Sequence, residues 1–289
     1  MNNFALIGAS GYIAPRHVEA IKHNNGKLIA LLDPYDGIGY IDKYYPEASY
    51  FREAERFDRH LDRLRRKKQK VSYVSICSPN YLHDAHIRLA LRNKCNVICE
   101  KPLVLKYEHL QSLQQIEHES GCKVNSILQL RLHPVIQELK KKYSKTNKFH
   151  EVTLDYITPR GLWYDYSWKG DPDKSGGITT NIGVHFFDML LWVFGDVIDY
   201  QCHNTLHSST GVLILEKAKV KYNLSIDQKD LPWDKWEPYR SIKIDGKEIE
   251  FSKGFTDLHN ISYKEVLKGR GFSLEDVAPA IKLTEQLRG

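Results

Sequence analysis

Apolar residues gather in short runs over the first 126 positions, and the segments between those runs carry apolar residues three and four positions apart. The runs at 3–8, 27–33, 71–78, 96–100 and 123–128 predict strands, and the periodic segments at 12–23, 54–68, 82–92 and 107–119 predict helices. Alternating strands and helices predict a doubly wound parallel sheet. Past a predicted helix at 132–143 the pattern changes. Runs at 150–158, 197–204, 210–217, 220–227, 240–245 and 247–252 are interrupted by one helix, 183–193, and helices at 258–268 and 274–287 close the chain. Strands without crossover helices predict a mostly antiparallel sheet, its last hairpin turned by Asp245-Gly246. The fold expected is α/β: an N-terminal Rossmann domain over 1–126 and a C-terminal α+β domain over 127–289, with ligands in the crevice between them. On the second sheet, Val212, Ile214 and Tyr222 are expected on the outer face, where another copy of the chain would cover them.

A length of 289 residues agrees with two domains, and 42% hydrophobic with 27% charged residues describes a globular chain. The formal charge of +6 suits anionic small molecules as well as nucleic acid and decides nothing by itself. Five cysteines without a CxxC pair point to a reducing cytoplasm, and the absence of any apolar run of about 18 residues argues against a membrane span. The basic stretch Arg63 to Lys70 closes a predicted helix, where cations meet the negative end of the dipole, so no nucleic-acid partner is expected. His83-x-x-His86 and His203-x-x-x-His207 lack the Cys or carboxylate partners of a metal centre, so no metal is expected.

Candidate chemistry begins at Gly8-Ala9-Ser10-Gly11-Tyr12-Ile13-Ala14, between the first strand and the first helix. Small residues there let the backbone approach a pyrophosphate, whose charge meets the amides of the helix N-terminus, so Gly8, Gly11, Tyr12 and Ile13 are the expected cofactor contacts. The spacing departs from G-x-G-x-x-G, with Ser10 at the usual second glycine. Asp33 ends the second strand 22 residues after Gly11, where its carboxylate would accept the ribose diol and repel a 2′-phosphate. NAD is therefore expected over NADP. Lys101, at the carboxyl end of a parallel strand, lies on the rim where such sheets bind ligands, with Glu100 either bonding the cofactor amide or fixing the lysine.

Ser78-Pro79-Asn80-Tyr81-Leu82-His83, Glu100-Lys101-Pro102 and the stretch from Ser175 to His185 resemble, in order, three signatures of the glucose-fructose oxidoreductase / inositol dehydrogenase (Gfo/Idh/MocA) family. The resemblance runs from about Phe4 to Arg288. Asn181 stands where the family usually has Asp. Gly8 to Arg16, Arg160 to Tyr164, Ser167 to Asp171 and Asn181 to Phe187 look like the branch that oxidises UDP-N-acetylglucosaminuronate at sugar C3. That branch hands a 3-keto sugar nucleotide to an aminotransferase on the way to a diacetamido uronic acid of bacterial surface polysaccharide.

The resemblance implies an NAD-dependent oxidoreductase, a nucleotide-sugar substrate and a homotetramer functionally coupled to a sugar aminotransferase. It implies a cis Lys101-Pro102 bond, contacts to the cofactor from Ser78, Asn80, His83 and Glu100, and Gln129, Trp168 and Lys169 flanking the nicotinamide. Lys101 and His185 share proton abstraction and hydroxyl polarisation, with His185 favoured as base because its ordinary pKa lies near neutrality, and Asp188 is expected to orient it. Arg131 and Arg160 are the expected anion ligands, joined by Tyr156, Tyr164 and Asn181 around the sugar nucleotide. Two other readings stay open: a related dehydrogenase of another sugar nucleotide, a free sugar or an inositol, and a non-catalytic ligand sensor.

Overall fold

Six short strands assemble the first sheet: β1 (Asn3–Ile7), β2 (Lys27–Leu32), β3 (Ser49–Phe51), β4 (Tyr73–Ile76), β5 (Asn96–Cys99) and β6 (Val124–Ser126). The computed structural model describes residues 1–249 and 257–289, and among these the sheet is wholly parallel in the order β3-β2-β1-β4-β5-β6. Helices α1 (Ala14–His23), α2 (Ala54–Arg66), α3 (His83–Arg92) and α4 (Tyr107–Ser120) supply the crossovers. Phe4, Leu6, Val74, Ile76, Val97 and Ile98 are fully enclosed, which is why these strands read as continuous apolar runs. The strand order reverses between β1 and β4, so their carboxyl ends part at a switch point, the place where open α/β sheets bind ligands.

The first compact unit comprises Met1–Gln129 together with Thr256–Val277, and the second Leu130–Phe255 with Ala278–Gly289. Helix α10 (Leu258–Leu267) packs on α1 within the first unit. Asn24 donates to the Asn260 carbonyl at 3.2 Å, Tyr263 enters the cluster around Phe4 and Ile21, and Ser126 bridges to Phe272.

In the second unit, β7 (His150–Ile157), β8 (Val197–Asn204), β9 (Ser208–Leu215), β10 (Ala218–Ser225), β11 (Tyr239–Ile244) and β12 (Lys247–Glu248) lie in the order β12-β11-β7-β10-β9-β8. The sheet expected to be mostly antiparallel is mixed. Its central strands β7 and β10 run parallel in unbroken register from His150↔Ala218 to Ile157↔Ser225. The part of the predicted run at 247–252 from residue 250 on lies outside the described residues. Helices α5 (Pro134–Tyr143) and α9 (Val184–Phe194) pack with the sheet's inner face, and Ala280, Leu283 and Leu287 of α11 (Leu274–Arg288) join the same cluster. Three one-turn helices, α6 (Trp163–Tyr166), α7 (Pro172–Ser175) and α8 (Gly177–Asn181), precede α9.

Tyr222 corrects the expected outer face. It is 2% exposed and meets Phe187 of α9 edge-on at 5.2 Å, because Val220, Tyr222 and Leu224 share the inward parity of β10. Val212 and Ile214, paired with Lys221 and Lys219, do take the outward parity and are half-buried. No single helix among the described residues is long and apolar enough to cross a membrane.

Candidate active site

Gly8 leaves β1 at φ +82°, and a Cβ added there would stand 2.5 Å from the Cys77 carbonyl carbon and the Ser78 nitrogen. Only glycine fits, because the chain must turn sharply against the neighbouring strand end. The turn closes through Gly11 N–H to Gly8 O at 3.1 Å and Ala14 N–H to Gly11 O at 3.0 Å, delivering the first-turn amides of α1, which have no intrahelical acceptors. Asp33 is buried, and its carboxylate accepts Ser10 N–H and Tyr35 N–H, each at 2.9 Å. One bond to each oxygen leaves lone pairs for a ribose diol while fixing the carboxylate beside the glycine turn. Tyr40 braces the loop by donating to the Ala9 carbonyl at 2.7 Å. The cradle and the diol acceptor fit an adenine dinucleotide. Tyr12 is exposed and Ile13 half-buried beside it.

The carboxyl ends of β4 and β5 bring the next two motifs to the same edge of the sheet. His83 is enclosed, with Nδ1 2.7 Å from the Pro102 carbonyl and Nε2 2.8 Å from the Ser78 carbonyl. It ties together the two loops that carry Ser78 and Lys101. Ser78 Oγ pairs with His86 Nδ1 at 2.8 Å, Asn80 is buried in the turn, and Gln129 follows β6 half-buried. The Lys101-Pro102 bond is cis. Glu100 is buried: its Oε1 faces His17 Nε2 and His259 Nε2, both at 2.9 Å, and its Oε2 accepts the Lys101 amide at 3.3 Å. His83 and Glu100, expected to touch the cofactor, direct these polar atoms at the protein, because a buried imidazole or carboxylate must find its partners there.

In the second unit, His185 lies in the first turn of α9, where it and Trp192 are the residues left partly exposed. Asp188, expected to orient His185, is gripped by Arg131 through Nε to Oδ2 at 3.0 Å and Nη2 to Oδ1 at 2.7 Å. Arg131 itself is buried, so a residue expected to bind substrate anions neutralises an internal carboxylate. Asn181 donates to Tyr164 Oη at 2.9 Å, and Tyr156 packs on Phe186 with Arg240 over its ring.

Arg160 is exposed, and Lys169 lies near it with its ammonium 5.3 Å from the Trp163 ring centre and 5.7 Å from that of Trp168. Burial, with the neighbouring Arg160 charge, pushes the Lys169 pKa below its ordinary value. The two cations lie close enough for each to feel the other's charge. His17, His259 and Tyr263 were not anticipated. Their one signal was a polar residue at an inward position of an amphipathic helix.

A parallel sheet that ends in a glycine turn, a buried carboxylate beside it and a lysine on the same edge defines a dinucleotide-dependent oxidoreductase. Residues 2–127 match the model of an oxidoreductase family with an NAD-binding Rossmann fold, and residues 147–210 match that family's C-terminal alpha/beta domain. The chain belongs to this Gfo/Idh/MocA oxidoreductase family.

Among solved structures, the WlbA (WbpB) dehydrogenase from Thermus thermophilus in complex with NAD and alpha-ketoglutarate is 46% identical with a TM-score of 0.96, covering 100% of this chain and 95% of that one. The same Thermus dehydrogenase in complex with NAD and UDP-GlcNAcA gives 45% identity, a TM-score of 0.96 and the same coverage. Among curated proteins, 2,7-anhydro-N-acetylneuraminate hydratase of Escherichia coli (strain K12) is 27% identical over 220 residues, 73% of this chain and 55% of that protein. The chain thus spans about half the length of that relative.

Proposed function

We propose that this protein oxidises the C3 hydroxyl of UDP-N-acetylglucosaminuronate to the 3-keto sugar nucleotide with NAD. The observation that carries this reading is the full-length likeness to a dehydrogenase solved with NAD and UDP-GlcNAcA. The Arg160 and Lys169 pair adds the chemistry that a substrate bearing a diphosphate and a carboxylate requires.

NAD, when bound, supplies the hydride acceptor. Gly8, Gly11 and Asp33 hold it, while Ser78, Asn80 and Gln129 line its ribose and nicotinamide end. Lys101 as an ammonium polarises the C3 oxygen, and His185 takes the hydroxyl proton as the hydride leaves C3, so that one ketone, one NADH and one proton result. Arg160, Lys169 and the Asn181–Tyr164 pair hold the anionic sugar nucleotide, with Trp168 and Tyr156 beside them. The 3-keto product has the carbonyl that a sugar aminotransferase consumes. A homotetramer formed over the outer face of the second sheet, acting in the cytoplasm, completes the proposal.

The test is NADH absorbance at 340 nm with NAD and UDP-GlcNAcA, run with and without 2-oxoglutarate to detect cofactor that is recycled in place. Turnover of the sugar nucleotide supports the reading. Turnover of inositol or a free sugar alone would move the protein to another member of the family's chemistry, and tight binding without turnover would make it a sensor.

A further inference from the structure

The hydrogen-bonded cluster behind Lys101 has a single consistent proton arrangement. An ionised carboxylate only accepts, so His17 and His259, both 2.9 Å from Glu100 Oε1, each present Nε2–H to it. The remaining His17 nitrogen, Nδ1, is then an acceptor, and Tyr263 O–H fills it at 2.7 Å while Ser75 Oγ–H donates to Tyr263 at 2.6 Å. His259 Nδ1 is buried without a partner, so a proton there would be an unsatisfied donor. Burial keeps the His17 pKa below its ordinary value, and although burial pushes Glu100 upward, the bonds from His17 and His259 outweigh it and hold its carboxyl well below the usual range.

Two imidazoles and a carboxylate are also a metal-ligand set. Ligands of a metal converge on a point between their donor atoms, whereas here both nitrogens converge on the carboxylate oxygen itself at hydrogen-bond distance. Other titratable groups feel this charge. Burial and then Glu100 raise the Cys77 and Cys99 thiols, and His83 senses both Glu100 and Lys101 with opposite sign.

We propose that His17 and His259 are positioning residues: by donating to Oε1 they fix Glu100 as an anion whose Oε2 holds the Lys101 amide and whose charge keeps the Lys101 side chain an ammonium. This rests on the reading of Lys101 as the polarising group, so the experiment uses a readout that needs no turnover. Trace acetylation of the folded protein across pH 7 to 10.5, with the Lys101 peptide quantified by mass spectrometry, follows the lysine directly, and exposed Lys67 serves as the internal control.

In His259→Leu and His17→Leu, loss of a donor lets Glu100 take a proton, Lys101 titrates about one unit lower, and its labelling near pH 8 rises about tenfold. In His259→Gln and His17→Gln the side-chain amide replaces the donor, and labelling stays within about twofold of the original protein. A Lys101 profile unchanged in both leucine variants, or glutamine variants that label like the leucine ones, would overturn the proposal. Should the leucine variants not fold, nitrogen-15 spectra of the original protein decide: Nε2–H on both rings supports it, and Nδ1–H alone on either ring sinks it. A visible absorption band on adding Co²⁺ would reassign the cluster to a metal and likewise overturn it.

Discussion

Arg131 and Asp188 meet as a two-point ion pair, with bonds of 3.0 and 2.7 Å and both side chains almost wholly removed from water. Each charge offsets part of the cost of burying the other. Asp188→Leu should cost about 3–5 kcal/mol by stranding a buried guanidinium, and Arg131→Met a similar amount. The double variant should recover much of the loss, since neither charge is then left buried alone. Urea unfolding of the four proteins checks this; additive losses would mean that the pair is not coupled.

Asp33 predicts the cofactor. Replacing it with Ser removes the ribose acceptor and its negative charge, so NAD affinity should fall about tenfold to a hundredfold while NADP gains relative to NAD. Titration calorimetry with both dinucleotides measures the ratio, and an unchanged preference would place the ribose elsewhere.

If Arg160 and Lys169 hold the sugar nucleotide as proposed, Arg160→Ala and Lys169→Ala should each lower kcat/KM by about 10- to 100-fold, chiefly through KM, because each would remove one charge-assisted contact to an anion. Steady-state kinetics with UDP-GlcNAcA tests both. A fall confined to kcat would make these residues participants in the hydride step.

Acid should destabilise the first unit through His86, whose pKa burial lowers from 6.5 to about 4. The folded-state value lies below the unfolded one, so as pH falls the unfolded chain takes the proton first. Stability is fully present above about pH 6.5, drains away at about 1.4 kcal/mol per pH unit, and levels off once pH passes below about 4, a loss of about 3 kcal/mol in all. His86→Asn keeps an acceptor for Ser78 and should remove that much of the slope in denaturation curves taken from pH 7 to pH 4. An unaltered slope would assign the acid sensitivity to His17, His60 or His83, which burial also lowers.

What the sequence makes legible is local. Phe4 to Ile7 read as a strand because both faces are covered, and Gly8 and Asp33 stand out because a turn and a strand end lie at fixed distances along one βαβ unit. Ser49–Phe51 is too short for any period to register. The parallel pairing of β7 with β10 escapes notice because an alternating pattern names the face of a strand and never the direction of its neighbour. Tyr222 shows the limit of parity: alternation fixes which residues share a face, while the helix that lies over that face, here α9, decides that it is the buried one. Partners distant in sequence stay silent, whether Arg131 with Asp188, 57 positions apart, or Glu100 with His259, 159 apart.

The return of residues 257–277 to the first unit orders events during synthesis. Strands β1 to β6 leave the ribosome early, yet Phe4, His17 and Glu100 then lack Tyr263 and His259. At roughly 5–20 residues per second, the 148 residues from Gln129 to Val277 keep the nucleotide-binding half waiting about 7–30 s. Throughout that interval the Glu100 carboxylate is one donor short and the cluster around Phe4 lacks Tyr263, so the half of the molecule made first is the half that holdase chaperones should find exposed.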